Sequence, residues 1–516
     1  MRHSVGRPYL YLLVFTCGFV TLGVELSASR LLDPWFGNSL VVWAGLIGMI
    51  LLYLALGYWI GGRVADHSPY PPTMLRLAAL GAAGIGLVPT LARPVLPVAS
   101  RGVADFDTGL LAGSMAGILI LFAIPVTLLA CVNPFAIRLT MQQVEGSGKV
   151  AGRVYALSTA GSILGCFLPL LLIPNLGTRS TFALLSGILL LVILAGLLWV
   201  RQSWDALAVG AAVAVIVWLG WRPLGPIKPA AGLLYEKESA FNYIQVLDAG
   251  VERQLRLNEG EGIHSVYRPA GGLADGIWDY FLIAPAFNSA PYSPGQVSRV
   301  CIVGLAAGTM VHLFTEAYGP IDIAGAELDP EIIVAGRQWF NMNEPNLRAV
   351  AADGRRFLRD DTERCDVIAV DAYRPPYIPF HLTTVEFFAL ARDRLAEDGV
   401  VAVNVGRTHT DYSLVNAIAL TMAQVFPSVY VIDEPDQGSS LGNSLVIATA
   451  SPTSLDDLRS NLPHFDQPLL SEVARRAVPH ARIPDPPAGT PIFTDDRAPV
   501  EQVVHQLILG HLLGSH

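Results

Sequence analysis

The chain has 516 residues, a net charge of −9, 52% hydrophobic residues and only 15% charged ones. Soluble domains carry about 25% charged residues, so a wholly soluble protein is excluded, and the negative balance, with a pI near 5.7, argues against nucleic acid as a partner. The five cysteines (Cys17, Cys131, Cys166, Cys301 and Cys365) lie in apolar segments without paired spacing, so neither a metal site nor a disulfide framework is expected, in keeping with a reducing compartment.

Residues 1–225 read as a transmembrane domain of about seven helices. A bilayer core is crossed by about 20 apolar residues, and such runs fall near 8–30, 40–61, 73–92, 109–131, 153–174, 181–200 and 205–221. The first run is too long, and too closely followed by others, for a cleaved signal peptide. Small residues four apart, Gly57/Gly61 and Gly161/Gly165, allow close helix approach. Glu25 is a membrane-embedded acid; it calls either for a structural partner, with Arg30 one candidate, or for a cationic ligand. Arg2, Arg7, Arg63, Arg76, Arg138, Lys149, Arg153 and Arg201 fall on the N-terminal side of these spans and Arg93, Arg101 and Arg179 on the other. That bias favours a cytoplasmic N-terminus, and seven spans then put the C-terminal half outside. An adenosyl cofactor argues for the inside, with residues 80–105 the weakest span, and the expectation kept is a cytoplasmic domain on a bacterial inner or plasma membrane.

Residues 226–297 hold a proline-rich linker, RPLGPIKPAAG, and then FNYIQVLDAGVERQLRL, which turns at 248–250 and reads as a hairpin of a small β-sheet. The aromatic run 278–281 suits either a pocket wall or the core. From 298 to 516 apolar strands alternate with helices, so a parallel sheet is expected. Strands are placed near 299–304, 321–327, 348–351, 366–371, 399–405, 428–433 and 443–449, with helices near 308–318, 330–341, 383–396 and 410–425.

Ligands of open α/β sheets bind at the carboxyl ends of the strands. Gly304, Glu327, Asp353 and Asp371 all fall at such ends. Gly304 and Gly308 are four apart, unlike the G-x-G-x-x-G of dinucleotide binders, which favours an adenosyl cofactor without a pyrophosphate. Glu327 would accept ribose hydroxyls. Asp353 would meet the adenine amine or cap a helix. Asp371 would accept a proton from an amine or hold its cation. Tyr373, Arg374, His381 and Glu386 lie in a proline-rich loop and the helix after it, which can cover a substrate. His381 is either a base or a structural histidine, and Thr383 or Thr384 is a helix cap.

At these residues the chain resembles the spermidine synthase family of polyamine aminopropyltransferases, in its membrane-fused form. The stretches that carry the resemblance are ESAFNYIQV, LRLNEGEGIHS, VGLAAGTM, AELDP, AADGRRFL, DVIAVDAY, HLTTVEFF and FTDDRAPVEQ, with ELSASRLLDPWFGNS in the first span and loop. The resemblance implies a small β-sheet followed by a Rossmann-like, class I methyltransferase-type domain. It further implies decarboxylated S-adenosylmethionine (or S-adenosylmethionine) as co-substrate, a polyamine or other small amine as acceptor, a lipid bilayer as surroundings, and allows a homodimer. It makes Gly304 and Gly308 the cofactor loop, Glu327 the ribose acid, Asp353 an adenine contact and Asp371 the acid that activates the amine. The chain departs from the family in its glycine-poor GLAAG turn, in Arg374 where a second acid is usual, and in GIWDYFLIAP. Asp279 beside Tyr280, or Asp495 or Asp496, would then supply the missing carboxylate. Three functions compete: aminopropyl transfer to an amine, methyl transfer to a membrane-delivered substrate, and a transporter or sensor with a non-catalytic synthase-like domain.

Overall fold

Between residues 7 and 221 the apolar sequence folds into helix after helix in the computed structural model. The structure describes all residues except 1–4, 38, 102–105, 142–145, 223–224, 260–261, 374–377, 436–440 and 513–516. The chain divides into two units, Met1–Ala230 with Glu236–Ile244 and Leu257–Gly260, and the remainder up to His516.

The helices of the first unit are α1 (Arg7–Phe36), α2 (Leu40–His67), α3 (Pro71–Arg101), α4 (Phe106–Ala130), α5 (Val132–Thr140), α6 (Ser147–Trp199) and α7 (Ser203–Trp221). With α4 and α5 taken as one run, six are long and apolar enough to cross a membrane among the described residues. At 53 residues, α6 would be about 80 Å long if straight, against a bilayer core of about 30 Å. It is broken at Gly177 (φ 79°, ψ 162°), a conformation closed to residues with a Cβ. Its two halves run in opposite directions along α1. In the first, Gly161 and Gly165 lie against the Phe15 and Phe19 carbonyls, where a Cβ would come within 2.0 and 1.9 Å. In the second, Leu185 meets Gly23, and Tyr9 donates to the Val192 carbonyl at 3.0 Å. The fifth and sixth apolar runs of the sequence are thus two passes of one bent helix. α3 is continuous through Pro89, Pro94 and Pro97, so the stretch expected to be weakest is helical as far as Arg101. Arg30 does not pair with Glu25. It pairs with Asp33 at 3.6 Å and donates to the Ser239 carbonyl, because a residue three positions on is a helical neighbour and one five positions back is not.

Residues 233–267 form a four-stranded sheet in the order β1 (Leu233–Glu238), β2 (Tyr243–Asp248), β3 (Arg253–Leu257), β4 (Ile263–Tyr267), with the expected hairpin as β2–β3. A short helix, α8 (Ile277–Tyr280), follows. The second unit then alternates β5 (Arg299–Val303), α9 (Thr309–Tyr318), β6 (Asp322–Glu327), α10 (Pro330–Trp339), β7 (Leu347–Ala351), α11 (Gly354–Asp360), β8 (Cys365–Val370), α12 (Val385–Arg394), β9 (Leu395–Thr408), α13 (Ser413–Met422), β10 (Ser428–Asp433) and β11 (Leu441–Thr449). Helices α14 (Leu455–Asn461) and α15 (Pro468–Ala477), strand β12 (Ala481–Arg482) and helix α16 (Val500–Leu512) complete it.

The eight-stranded sheet has the order β12-β10-β11-β9-β8-β5-β6-β7. It is a Rossmann-like sheet of class I methyltransferase type, but mixed rather than wholly parallel. β7, β6, β5, β8 and β9 run parallel, and β11 lies antiparallel to both β9 and β10. Both faces are covered, as a parallel core requires. Val300 and Ile302 of β5 pack with Phe281, Phe287 and Phe314 on one side. Cys301 and Val303 pack with Phe357, Phe387 and Phe493 on the other. Cys301 and Cys365 form a disulfide between adjacent strands, with Cα atoms 5.9 Å apart. This corrects the expectation of no disulfide: the residues are 64 apart in sequence, and only the β5–β8 pairing makes them neighbours.

Candidate active site

The carboxyl ends of β5, β6 and β8 meet at one point. Gly304, just past β5, has φ 91°, and a Cβ there would lie 2.3 Å from the Asp371 carbonyl oxygen. The chain therefore needs glycine to bring the turn 304–308 against the end of β8. Gly304 and Leu305 N–H groups both donate to the Ala326 carbonyl, and the Asp371 N–H donates to the Val303 carbonyl at 2.8 Å. From the other side Ser265 of β4 accepts the Ala307 N–H at 3.0 Å. Gly308 caps the start of α9 at φ 97°, closed against Met342.

Glu327 ends β6 beneath this turn. Its Oε2 accepts the Ala306 N–H at 2.9 Å and its Oε1 the Asp329 N–H at 3.1 Å. Burial pushes the carboxyl up to about 7, and the amide donors act against that rise. Each oxygen keeps a lone pair beyond the one used, so the carboxylate that shapes the turn can also accept a ligand hydroxyl. A turn without side-chain bulk and an acid at the next strand end fit an adenosyl group.

Asp371 follows β8. Its Oδ2 accepts the Trp278 indole N–H and its Oδ1 the Asn404 side-chain N–H, both at 2.8 Å. Burial raises its pKa, and these two donors lower it. No cation is paired with it among the described residues. Asn404 Oδ1 is buried without a hydrogen-bond partner among the described residues, beside the carboxylate its amide holds. Tyr373 is locked in place, accepting the Gly406 N–H at 2.6 Å and donating to the Asn404 carbonyl at 3.1 Å. Arg374 lies outside the described residues. Trp278 and Asn404 are the residues that sequence reasoning missed. Trp278 was present only as one of an aromatic run, and Asn404 was signalled only by being polar in the apolar run VVAVNV.

The remaining candidates fall into other arrangements. Asp353 caps α11 through the Arg356 N–H at 3.0 Å and pairs with His381 Nε2 at 2.7 Å. Burial pushes its carboxyl up, yet the Arg356 N–H and the His381 ring together hold it below the usual range. Both its oxygens are therefore engaged, and His381 is its partner rather than a free base. Asp495 is bound by both Arg355 terminal nitrogens at 2.7 Å and by the Thr384 hydroxyl, and its N–H meets Glu386. Its carboxylate is thus held in a bidentate ion pair. Asp496 is exposed, with neither an ion pair nor a side-chain hydrogen bond among the described residues. Thr384 caps α12 through the Phe387 N–H. Asp279 accepts the Ala274 and Asp275 N–H groups and, with Tyr280, lines a separate cavity.

Residues 296–435 match the model of the spermine/spermidine synthase domain. A probable polyamine aminopropyl transferase of Bifidobacterium longum is 28% identical over 327 residues, 58% of this chain and 69% of that one. An N-terminal histidine N-methyltransferase of Emericella nidulans is 27% identical over 162 residues, 30% of this chain and 28% of that one. The solved structure of a probable spermidine synthase from Corynebacterium glutamicum aligns with 52% of this chain and 97% of its own, at 22% identity and a TM-score of 0.40. Behind its long apolar helices, the chain carries at residues 296–435 a spermine/spermidine synthase domain, of the transferase class.

Proposed function

We propose that the protein is a membrane-tethered aminopropyltransferase that moves an aminopropyl group from decarboxylated S-adenosylmethionine to a polyamine or other small amine. One observation carries the reading: among the described residues, Asp371 stands beside the glycine turn as a carboxylate held only by neutral donors, with the unpartnered Asn404 Oδ1 next to it. An amine that attacks carbon must shed a proton as its new N–C bond forms, and a carboxylate raised by burial is a better proton acceptor than one clasped by a cation. Trp278 and Asn404 keep that carboxylate in one orientation. The turn 304–308 and Glu327 would hold the adenosine, and the co-substrate, when bound, would supply the electrophilic aminopropyl carbon, its C–S bond breaking as the N–C bond forms and the sulfur leaving as a neutral thioether.

Calorimetry with decarboxylated and intact S-adenosylmethionine tests this. The decarboxylated form is expected to bind at least about tenfold more tightly, which is 1.4 kcal/mol. A preference for the intact form overturns the reading in favour of methyl transfer, the second reading, which the methyltransferase relative supports. The same titration carries a pH signature. Glu327 must be ionised to accept hydroxyls well, and its pKa is raised to about 7. Affinity should therefore increase as pH rises through about 7, and Glu327→Gln should flatten that increase while weakening binding by about 1–3 kcal/mol. A pH-independent affinity removes Glu327 from the ribose.

We place the domain on the cytoplasmic side, where its co-substrate is available. With seven passes this puts the N-terminus outside, against the distribution of arginine and lysine. Reporter fusions at both ends separate the two rules: a cytoplasmic signal from the C-terminal fusion is expected, and an external one reverses the placement.

A further inference from the structure

The helical unit carries a cleft with one apolar and one cationic wall. Leu31 of α1 with Pro89 and Leu96 of α3 make the first, Arg93 of α3 and Arg179 of α6 the second, and Trp35 closes one side. The cleft lies toward the C-terminal ends of α1 and α3, beside the break in α6 at Gly177. It encloses about 20 Å³. One water-sized group needs about 10–15 Å³ of such space, so the cleft admits a single oxygen and leaves the rest of a ligand outside.

The two guanidinium groups converge on Gly225. Arg179 donates to its carbonyl at 3.1 Å and to the Arg222 carbonyl at 3.4 Å. A Cβ at Gly225 would lie 2.8 Å from Arg93 Nη2. Arg93 has no ion pair and no side-chain hydrogen bond among the described residues. A guanidinium has five N–H donors and no acceptor, so most donors of the pair are unspent. Glu236 and Glu238 bear on the charge of Arg179, as Arg93 does. Neither lines the cleft. Glu238 accepts the Thr178 N–H at 2.7 Å and the Thr178 hydroxyl, and Glu236 accepts the Ile227 N–H at 3.1 Å and the Tyr243 hydroxyl at 2.7 Å. The cleft thus presents two like charges to whatever enters it, and an anion between them relieves their repulsion.

We propose that this cleft binds the phosphate of an anionic phospholipid, with one phosphate oxygen between Arg93 and Arg179 and acyl chain along Leu31, Pro89 and Leu96. Guanidinium groups match phosphate oxygens in geometry as well as charge. The apolar wall selects a lipid over free phosphate, which has nothing to place there. The helices that build the cleft are long and apolar enough to cross a membrane, and basic pockets between such helices suit lipid head groups. Trp35, with the Lys228 ammonium 5.6 Å from its ring centre, fits the interfacial level where phosphates lie. The assignment requires only that these helices lie in a bilayer, and it stands apart from the transfer reaction.

The test uses the full chain in neutral detergent. Native mass spectrometry follows retention of dioleoylphosphatidylglycerol and of dioleoylphosphatidylcholine, which carries the same phosphate with a cation attached. Wild type should hold one phosphatidylglycerol about tenfold more tightly than phosphatidylcholine, or better. Arg93→Gln and Arg179→Gln should each erase most of that preference. Arg63→Gln, at an exposed arginine over the Trp59 ring and away from the cleft, should keep it. Arg93 makes no bond that the fold uses, so Arg93→Gln should leave the denaturation midpoint unchanged and report on binding alone. Equal retention of the two lipids, or a preference that survives both cleft variants, overturns the assignment. Millimolar inorganic phosphate should not displace the lipid; displacement that disappears in Arg93→Gln would make this a free-phosphate site and overturn the lipid.

Discussion

Two acid clusters lie at the carboxyl ends of neighbouring strands in the same sheet, and they are built on opposite principles. Around Asp371 and Glu327 every observed donor is neutral: an indole, an amide side chain and backbone N–H groups. Around Asp353 and Asp495 the donors include a histidine and an arginine. A carboxylate oriented by neutral donors keeps its charge and spare lone pairs for a ligand. One clasped by a fork-shaped guanidinium has its charge compensated and its geometry filled. The sequence shows three acids at strand ends, and Asp495 far beyond them, without distinction; the identity of their donors sets the two clusters apart.

The largest expected effect breaks the first cluster at its centre. Asp371→Asn should lower the rate of transfer by about 10²–10⁴-fold, the range for a lost general base. Co-substrate affinity should stay within about threefold, because the turn and Glu327 are untouched. Retention of near-wild-type turnover would show that Asp371 does not take the proton. Trp278→Phe is the milder version. It removes one donor that stabilises the ionised carboxylate, so the Asp371 pKa should rise and the acid limb of the pH–rate profile should move to higher pH, with about a tenfold loss of rate near pH 7. A simple packing defect would lower the rate at all pH values without moving that limb.

Much of the fold could be read in advance, for a local reason. A strand buried on both faces is a short apolar run, and a glycine or an acid at its end marks the sheet edge, so β5, β6, β8 and β10 lie within a residue or so of their expected places. Other features depend on pairing between distant segments. The reversal of β11 and the Cys301–Cys365 bond both arise from contacts that leave no periodic trace. The same holds for the site. Glu327 and Asp371 were visible as strand-end acids, but Trp278 and Asn404 matter only because each reaches Asp371 from more than 30 residues away. Asp495 looked like a spare acid because its partner Arg355 is 140 positions earlier.

The smallest effect tests the other half of the comparison. Asp495→Asn breaks the bidentate pair with Arg355, whose side chain is 27% exposed against 41% for Asp495. Pairs this open to solvent are worth about 1 kcal/mol or less, and Thr384 keeps a partner in the new amide. The substitution should therefore lower the denaturation midpoint only slightly and leave transfer and amine selectivity as in wild type. The sign with pH also follows. Arg355 holds the Asp495 carboxyl below its usual range, so the stability it contributes is present above the unfolded pKa and is lost as pH falls through the folded one. The difference between wild type and variant should shrink in acid. If Asp495→Asn instead removes acceptor binding while the protein stays folded, the cation-clasped cluster belongs to the site, and donor identity no longer separates the two.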